Sequence, residues 1–149
     1  MSLKVDLENQ QFKDASIVLC GAAGQGIETV AGFLATILKL TGYNVFVTRE
    51  FMSRIRGGTN SLQLRVSSAE VGSYILRSDI IIPLTQEAIP HLVKYGRTNV
   101  HTVFLGEKEI LDSYEINSQR QIPIPFLKIA NDIGGRIYAN TIAAGVVAD

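Results

Sequence analysis

Apolar and polar residues along the chain follow the periods of strands and helices in alternation. The apolar run Ser16–Cys20 predicts a buried strand, and Ile27–Leu40 then places apolar residues at helical spacing, with Gly42 closing the helix. Asn44–Val47 predicts a second short strand. Thr59–Ser67 alternates strictly between polar and apolar residues, which predicts a half-buried strand with one polar face.

Two continuous apolar runs in the second half of the chain predict buried strands of a parallel sheet. They are Asp79–Leu84, which ends near a proline, and Val100–Leu105, which is stopped by a glycine. Between them, Thr85–Tyr95 predicts a helix that is capped by Thr85 and made short or kinked by Pro90.

The remaining segments carry weaker patterns. They are Glu70–Leu76, expected as a turn with a partial strand; Glu107–Gln121, a loop or short strand; Ile122–Phe126, extended; Phe126–Ile133, a helix; and Arg136–Ala148, the beginning of a last helix.

Strands that alternate with helices predict the α/β class, as a three-layer α/β/α sandwich around a mostly parallel sheet. The connection into Thr59–Ser67 is too short for a parallel crossover, so this strand should run antiparallel to the one ending near Thr48 and make the sheet mixed. Residues 1–149 are expected to form a single domain with a polar lead over 1–14 and a C-terminal end that is incomplete.

Composition narrows the classes of partner. The chain has 149 residues, 46% of them hydrophobic, and a formal net charge of zero, which disfavours a general nucleic-acid binder. An apolar surplus favours burial against partner subunits and would allow a homodimer in isolation. The single cysteine, Cys20, lies in an apolar run and is expected to be a small buried side chain, and one cysteine predicts neither a disulfide framework nor a four-cysteine metal site. A reducing cytoplasm is the expected location, and no membrane span is predicted.

A glycine-rich turn joins the first strand to the first helix. Its spacing, G-x-x-G-x-G over Gly21–Gly26, matches neither the dinucleotide fingerprint nor the Walker motif. The turn directs a helix N-terminus at whatever lies beyond the strand, so anion binding and simple close packing both remain open. Gln25 could position a polar group without adding charge.

The chain is organised around the segment Thr48–Ser67, which is rich in arginine. Arg49, Arg54 and Arg56 precede a glycine pair, so guanidinium groups beside free backbone N–H groups could bind phosphate or carboxylate oxygens. The alternative is a loop of solvated arginines paired with local acids such as Glu50. Arg65 is expected to face solvent or a partner.

These motifs resemble a known family. Ala23-Gly24-Gln25-Gly26 (GGQG with alanine first), Arg56-Gly57-Gly58, the Ile122–Pro125 element and Asn140 together resemble the gamma subunit or gamma domain of 2-oxoacid:ferredoxin oxidoreductases. The form T-R-E-x-x-S-R-I-R-G-G resembles members acting on 2-oxoglutarate or related acids, in which this domain can be fused to the alpha domain.

The resemblance implies a subunit without catalytic or metal-binding residues of its own and without activity alone. The whole enzyme would decarboxylate a 2-oxoacid to acyl-coenzyme A and reduce ferredoxin. Thiamine diphosphate, Mg²⁺ and [4Fe–4S] clusters would belong to the alpha and beta subunits and to a ferredoxin-like delta subunit where one is present. His91 and His101 are expected to be structural or surface residues, because no metal-ligand spacing surrounds them.

The resemblance also implies contact with coenzyme A by this chain, at its glycine and arginine motifs. The expected binding residues are Gly24, Gln25, Gly26, Arg49, Arg54, Arg56, Gly57 and Gly58. Three alternatives stay open: an assembly module of the same complex with no ligand site, a free-standing nucleotide-binding α/β protein, and an RNA-binding protein suggested by the single R-x-R-G-G string.

Overall fold

The computed structural model describes residues 14–22, 27–51, 58–115, 120–125, 128 and 132. Strands and helices alternate through most of this part of the chain. In chain order they are β1 (Asp14–Ala22), α1 (Ile27–Leu40), β2 (Asn44–Phe51), β3 (Thr59–Ser67), β4 (Ile80–Pro83), α2 (Ala88–Lys94), β5 (Val103–Gly106), α3 (Lys108–Leu111) and β6 (Arg120–Pro123).

The six described strands form one mixed sheet in the order β2-β3-β1-β4-β5-β6. β3 runs antiparallel to both of its neighbours, whereas the β1–β4, β4–β5 and β5–β6 pairs are parallel. The short connection after β2 predicts the antiparallel turn-back, because a parallel crossover needs about a dozen residues or more. The predicted mixed sheet is confirmed.

Helix α1 covers one face of the sheet. Its apolar stripe, including Val30 and Leu34, packs on Leu19 of β1 and Leu64 of β3, all of which are almost completely buried. The helix is followed by Gly42, whose φ of 96° lies in the left-handed region that glycine adopts without strain. The sequence-predicted helix is confirmed at both ends.

Helices α2 and α3 cover the opposite face. Ile89 and Leu92 of α2 and Leu111 of α3 pack against Val18 of β1 and Phe104 of β5. With α1 on the other side, these helices complete the predicted three-layer α/β/α sandwich.

β3 differs from its predicted half-buried state. Its polar residues Ser61, Gln63 and Ser67 are only 3%, 2% and 4% exposed, so both faces of the strand are buried. The amide of Gln63 binds the backbone of the connection after β3: Nε2 donates to the Ile75 carbonyl at 2.6 Å, and the Ile75 N–H donates to Oε1 at 3.2 Å. The connection therefore covers the polar face that the alternation predicted as open.

The helix predicted over Thr85–Tyr95 is shorter and lacks the predicted cap. It begins at Ala88, and the Ala88 N–H donates to the Thr85 carbonyl at 3.2 Å in a preceding turn. Pro90 then falls within the first turn, where a backbone N–H has no partner inside the helix. The proline is thus accommodated by a later start rather than by a kink.

The two boundaries of β5 also differ from the prediction. β5 begins at Val103 because Asn99 and Thr102 close a turn, with the Asn99 N–H donating to Thr102 Oγ1 at 2.9 Å. The strand was predicted to end at Leu105, but Gly106 is its last residue. An added Cβ there would lie 3.4 Å from the Pro83 carbonyl oxygen, which is an ordinary van der Waals contact.

Other weakly patterned segments resolve as follows. Residues 70–76 contain no strand, and α3 interrupts the segment 107–121 that was expected to be loop or strand. β6 confirms extended backbone at Ile122. The predicted helices over 126–133 and 136–148 lie outside the described residues, apart from Lys128 and Asp132, which are helical.

Candidate functional site

Two predicted binding segments leave the sheet at the same end, where β1 and β2 both have their carboxyl termini. This end of the sheet is called the carboxyl edge below. β1 ends at Ala22 before residues 23–26, and β2 ends at Phe51 before residues 52–57. Asn60 at the start of β3 pairs with Phe51 on one side and with Gly21 on the other. Since neighbouring strands are about 5 Å apart, the two segments start about 10 Å from each other.

This edge is also a topological switch point of the sheet. The connection through α1 leads from β1 towards β2 on one face, whereas the connection through α2 leads from β4 to β5 on the other. In open α/β sheets, the divergence of such connections leaves a crevice at the carboxyl ends of the strands, and ligands bind there. The glycine turn after β1 begins at that position.

A polar cluster lies next to the carboxyl edge, on the face of the sheet that α2 covers. Glu50 of β2 accepts a hydrogen bond from the hydroxyl of its cross-strand partner Ser61 at 3.0 Å. The other oxygen of the Glu50 carboxylate accepts from Nη1 of Arg97, which follows α2. Both carboxylate oxygens are therefore engaged, one by the adjacent strand and one by the residue that follows α2 in the covering layer.

Arg97 is itself held firmly and is almost inaccessible. Its residue is 3% exposed, its N–H donates to the Leu92 carbonyl at 3.0 Å, and its carbonyl accepts from the Ser78 N–H at 3.0 Å. Its Nε and Nη2 atoms are buried without a hydrogen-bond partner. Each unmet donor costs about 1–3 kcal/mol, so this arrangement is expensive for the fold.

The cluster affects two nearby titratable groups. Burial, followed by the negative charge of Glu50, raises the pKa of the Cys20 thiol to about 12, while Arg97 acts in the opposite direction. Burial lowers the pKa of His91 on α2, Lys94 lowers it further, and Glu50 opposes the shift. Cys20 is fully buried, which confirms it as a small core residue.

Arg49 lies within β2, not on a loop as the sequence suggested. It points to the face opposite Glu50 and forms an exposed ion pair with Glu28 of α1, with Nε 3.6 Å from the carboxylate. It also lines an open groove of about 660 Å³ beside the edge strand. The groove is formed by Phe46, Val47, Thr48, Arg49, Gly72, Ser73 and Tyr74.

This groove combines a cation with aromatic and polar groups. Tyr74 is 57% exposed, and Thr48 Oγ1 is buried in the wall without a hydrogen-bond partner. The lining can therefore offer Arg49 to an anionic oxygen and a flat apolar surface to an attached ring.

Of the predicted binding residues, the structure describes two. Arg49 is placed as above, and Gly58 stands partly buried immediately before β3. The others lie outside the described residues, so their placement stays a prediction: Gly24, Gln25, Gly26, Arg54, Arg56 and Gly57.

The described charged residues pair differently from what the sequence suggested. Glu50 pairs with Arg97, while Arg49 pairs with a different acid, Glu28. Arg65, expected to face solvent or a partner, makes contacts within the chain: its Nη2 lies 2.9 Å from Asp14 and its Nη1 donates to the Ser73 carbonyl at 3.0 Å. Arg65 therefore ties β3 to β1 and to the connection that covers the polar face.

Two absences hold for the part of the chain that the structure describes. No group of three or more histidine, cysteine, aspartate or glutamate side chains there could hold a metal ion. Among the helices of that part, none is both long and apolar enough to cross a membrane.

The sheet order, the three layers and the two segments at one edge define an α/β domain of a specific type. The family model described as pyruvate ferredoxin/flavodoxin oxidoreductase matches residues 16–149, and the chain belongs to that family. The resemblance inferred from the glycine and arginine motifs is thereby confirmed.

Similar proteins come from several organisms. The chain is 26% identical over 137 residues to 2-oxoglutarate synthase subunit KorC of Archaeoglobus fulgidus, covering 91% of this chain and 70% of that protein. Its fold matches the gamma subunit of a keto/oxoacid ferredoxin oxidoreductase from Geobacter sulfurreducens PCA, with a TM-score of 0.73, 21% identity, and coverage of 89% and 75%.

A larger structure shares the same fold in one part. It is 2-oxoglutarate:ferredoxin oxidoreductase from Magnetococcus marinus with 2-oxoglutarate, coenzyme A and succinyl-CoA bound, with a TM-score of 0.69 and 23% identity. The match covers 88% of this chain but only 23% of that one. The shared fold therefore accounts for less than a quarter of that chain.

Sequence reasoning missed the buried cluster. Glu50 was considered only as a local partner for arginines, and Ser61 only as part of a polar face. Arg97 follows a helix and Gly96, a context that carries no signal for burial. The alternation of Phe46, Thr48 and Glu50 in β2 was the one available hint, because it puts Glu50 on the same face as the buried polar side of β3.

Proposed function

We propose that this chain is the gamma subunit or gamma domain of a 2-oxoacid:ferredoxin oxidoreductase, and that it contributes coenzyme A binding and subunit assembly. The complex would convert a 2-oxoacid and coenzyme A to acyl-coenzyme A and CO₂, and pass two electrons to ferredoxin. Thiamine, Mg²⁺ and cluster chemistry would reside in the alpha, beta and delta partners, in the cytoplasm.

One observation carries the coenzyme A role. The glycine segment 23–26 and the arginine segment 52–57 follow β1 and β2, the two strands that flank β3, at the same end of the sheet, although they are far apart in sequence. Backbone N–H groups of the first and guanidinium groups of the second would then face a common space. Pyrophosphate and phosphate oxygens suit such a combination of donors.

Each predicted residue has a role in this proposal. Arg54 and Arg56 would bind the pyrophosphate and 3′-phosphate, while the backbone of Gly24–Gly26 and Gly57-Gly58 would supply further donors. Arg49 would meet an anionic group at the groove beside β2, in competition with Glu28. Exchange of an exposed ion pair for a ligand phosphate is inexpensive, because exposed pairs contribute little.

The test is steady-state kinetics of the assembled enzyme, copurified from its native host or reconstituted with its partner subunits. Arg54→Ala and Arg56→Ala should each raise the KM for coenzyme A roughly tenfold or more, since one charge-assisted hydrogen bond is worth about 1.5–3 kcal/mol. The KM for the 2-oxoacid should not change.

A matched control is Arg120→Ala. Arg120 is an exposed cation on β6, which forms the opposite edge of the sheet from β2. Its removal changes the net charge equally but should leave coenzyme A kinetics intact. Unchanged coenzyme A dependence in both Arg54 and Arg56 variants would reject the binding role.

A pure assembly role is a second candidate, favoured by the outer side of α1. Phe33, Ile37 and Leu40 are 53%, 37% and 83% exposed, which is a large apolar surface for one helix. Size-exclusion chromatography of the reconstituted complex separates the two roles. Loss of the complex in Arg54→Ala, with no coenzyme A effect in variants that still assemble, would favour assembly alone.

A further inference from the structure

β2 forms an outer edge of the described sheet. It pairs with β3 on one side, and no strand of the described chain pairs with it on the other. The strand is eight residues long, its register with β3 is continuous from Asn44 to Phe51, and it contains neither proline nor lysine. Natural edge strands are usually short, bulged, covered or protected by proline or lysine, because free backbone N–H and C=O groups pair readily with another strand. The free edge of β2 is therefore open to pairing with a further strand.

The open groove of about 660 Å³ lies along this free edge. Its lining includes four consecutive residues of β2, from Phe46 to Arg49, and residues 72–74 of the connection after β3. Successive side chains of a strand point to opposite faces of the sheet, so a groove that contacts all four lies beside the backbone edge itself. Four residues of a strand span about 13 Å. The groove therefore has the place and the length to receive an extended chain.

Apolar side chains flank the groove. Val47 within β2 is 40% exposed, Tyr43 just before β2 is 39% exposed, and Tyr74 in the groove lining is 57% exposed. When a strand adds to the edge of a sheet, backbone hydrogen bonds supply affinity and alternate side chains pack against such neighbours. The free edge therefore fits a strand with apolar side chains.

A second copy of this chain supplies such a strand. β6, the strand at the other side of the described sheet, has only four residues and ends at Pro123, so it is a poor partner. β2 of one copy and β2 of another can pair antiparallel about a two-fold axis, which closes the assembly at two chains. The greatest overlap centres the axis on Val47, with residues 44–50 paired, or on Thr48, with residues 45–51 paired.

The register centred on Val47 has the better side-chain matches. It places Val47 opposite Val47 of the second copy and Asn44 opposite Glu50, and no like charges face each other. The register centred on Thr48 instead places Phe46 opposite the Glu50 carboxylate, a match with neither a hydrogen bond nor an apolar contact. The side chains of β2 therefore favour the first register.

We propose that this chain forms a two-fold dimer by antiparallel pairing of β2 with β2 of a second copy, centred on Val47. The pairing joins two six-stranded sheets into one continuous sheet. Pairing over residues 44–50 makes roughly six to eight backbone hydrogen bonds. The second copy fills the groove, so self-pairing and ligand contact at Arg49 exclude each other there. The dimer does not depend on the coenzyme A role.

Light scattering coupled to size-exclusion chromatography tests the dimer with the full chain at micromolar concentrations. The unsubstituted chain should have twice the 16.3 kDa mass of one copy, and a monomeric chain would overturn the proposal. Val47→Lys and Val47→Glu each place like charges opposite each other at the axis, so each should raise the dimer dissociation constant roughly tenfold or more. Val100→Lys, at another exposed valine in the turn before β5, is the matched control and should dimerise normally.

A mixture of the two charged variants tests the pairing at the axis. Val47→Lys and Val47→Glu chains in equal amounts should form a mixed dimer with a dissociation constant close to that of the unsubstituted chain, because lysine then faces glutamate. Recovery also shows that both variants are folded. A mixture that remains monomeric would overturn the proposed pairing.

Cysteine crosslinking measures the register. In the proposed dimer, Val47→Cys places two Cβ atoms opposite each other, about 5 Å apart. The thiols of Arg49→Cys, on the same face, are offset by about 14 Å, because residue 49 faces residue 45. A short bismaleimide should crosslink Val47→Cys several-fold faster than Arg49→Cys, while the fully buried Cys20 does not react. Equal rates would indicate the register centred on Thr48 and would overturn the one proposed.

Other occupants of the free edge give different results, and each would overturn the proposal. A monomeric chain whose association with the other subunits of the enzyme is lost in Val47→Lys would mean that the edge binds a strand of a partner subunit. A dimer unaffected by both charged variants would mean that the copies meet through another surface, such as the exposed apolar side of α1. Neither result changes the coenzyme A kinetics expected for Arg54→Ala and Arg56→Ala, so the two proposals fail separately.

Discussion

Glu50, one residue before the end of β2, forms an ion pair with Arg97, a residue that follows α2 and lies on the same face of the sheet. The arginine side chain is 4% exposed and the glutamate side chain 30% exposed. The pair joins the edge strand, which carries the arginine segment, to the layer formed by α2. Local sequence patterns did not predict this ion pair.

The free energy of unfolding of single and double variants should reveal the coupling between Glu50 and Arg97. Arg97→Met leaves the Glu50 carboxylate without its cation and should lower the free energy of unfolding by about 1–3 kcal/mol. Addition of Glu50→Gln should restore part of the loss, because the uncompensated charge is removed. Urea denaturation of the four members of the cycle measures this coupling, with Arg120→Met as the surface control. Strict additivity would contradict a direct pair.

The buried amide of Gln63 should be hard to replace. Gln63→Leu has a suitable size but leaves the Ile75 N–H and carbonyl without their partners. The free energy of unfolding should fall by about 1–3 kcal/mol. Gln86→Leu, at an exposed position, should change it by less than about 0.5 kcal/mol. Equal effects of the two substitutions in urea denaturation would mean that the connection after β3 does not depend on Gln63.

The Cys20 thiol should be unreactive in the folded protein. Burial and Glu50 raise its pKa to about 12, and the side chain is fully buried. Since the thiolate is the reactive form, a disulfide reagent at mildly alkaline pH should label the native chain only as fast as it unfolds. Denaturant should release the one thiol of the sequence. Rapid labelling of the native chain, measured by absorbance, would contradict this placement.

Acid should destabilise the fold partly through His91. Its pKa is lowered from the ordinary value of 6.5, chiefly by burial and further by Lys94, against the pull of Glu50. The unfolded chain therefore takes up the proton first as the pH falls. The stabilisation due to neutral His91 is complete above the ordinary pKa and is lost as the pH falls through the lower folded value.

His91→Gln should flatten this part of the stability profile. Urea denaturation at a series of pH values below neutrality measures the slope, and His101→Gln, at an exposed turn position, is the matched control. A His91→Gln variant with the slope of the unsubstituted protein would exclude His91 as its source. The ring contact with Tyr95, at 4.9 Å between centroids, is also lost, so the comparison concerns the slope rather than the absolute stability.

Local sequence patterns correctly predicted elements that bury a single apolar face along their whole length. α1 has one apolar stripe facing one sheet face, so its period and its closing glycine specify both of its ends. α2 was placed three residues too early, because Thr85 is an ordinary cap by residue type and only the packed turn before Ala88 decides otherwise. Short helices and strand ends depend on such tertiary choices.

The candidate site also has features that the sequence predicted and features that only the tertiary structure decided. The motifs at residues 23–26 and 52–58 were found from residue type and spacing, and the strand pairing then brought the described residues beside them to one edge. The role of Arg49 changed, because β2 extends through it and directs it to the α1 face, opposite Glu50. An arginine in a loop and an arginine in a strand look alike in sequence.

The sequence by itself determined the α/β class, the mixed sheet with β3 reversed, the family and the two motif segments, because period, connection length and motif spacing are properties of the local chain. Only the tertiary structure decided that β3 is buried on both faces and that Glu50 pairs with Arg97 rather than with Arg49. Those facts depend on which distant segments cover a surface, and contacts across 47 positions leave no periodic trace in the residues between them.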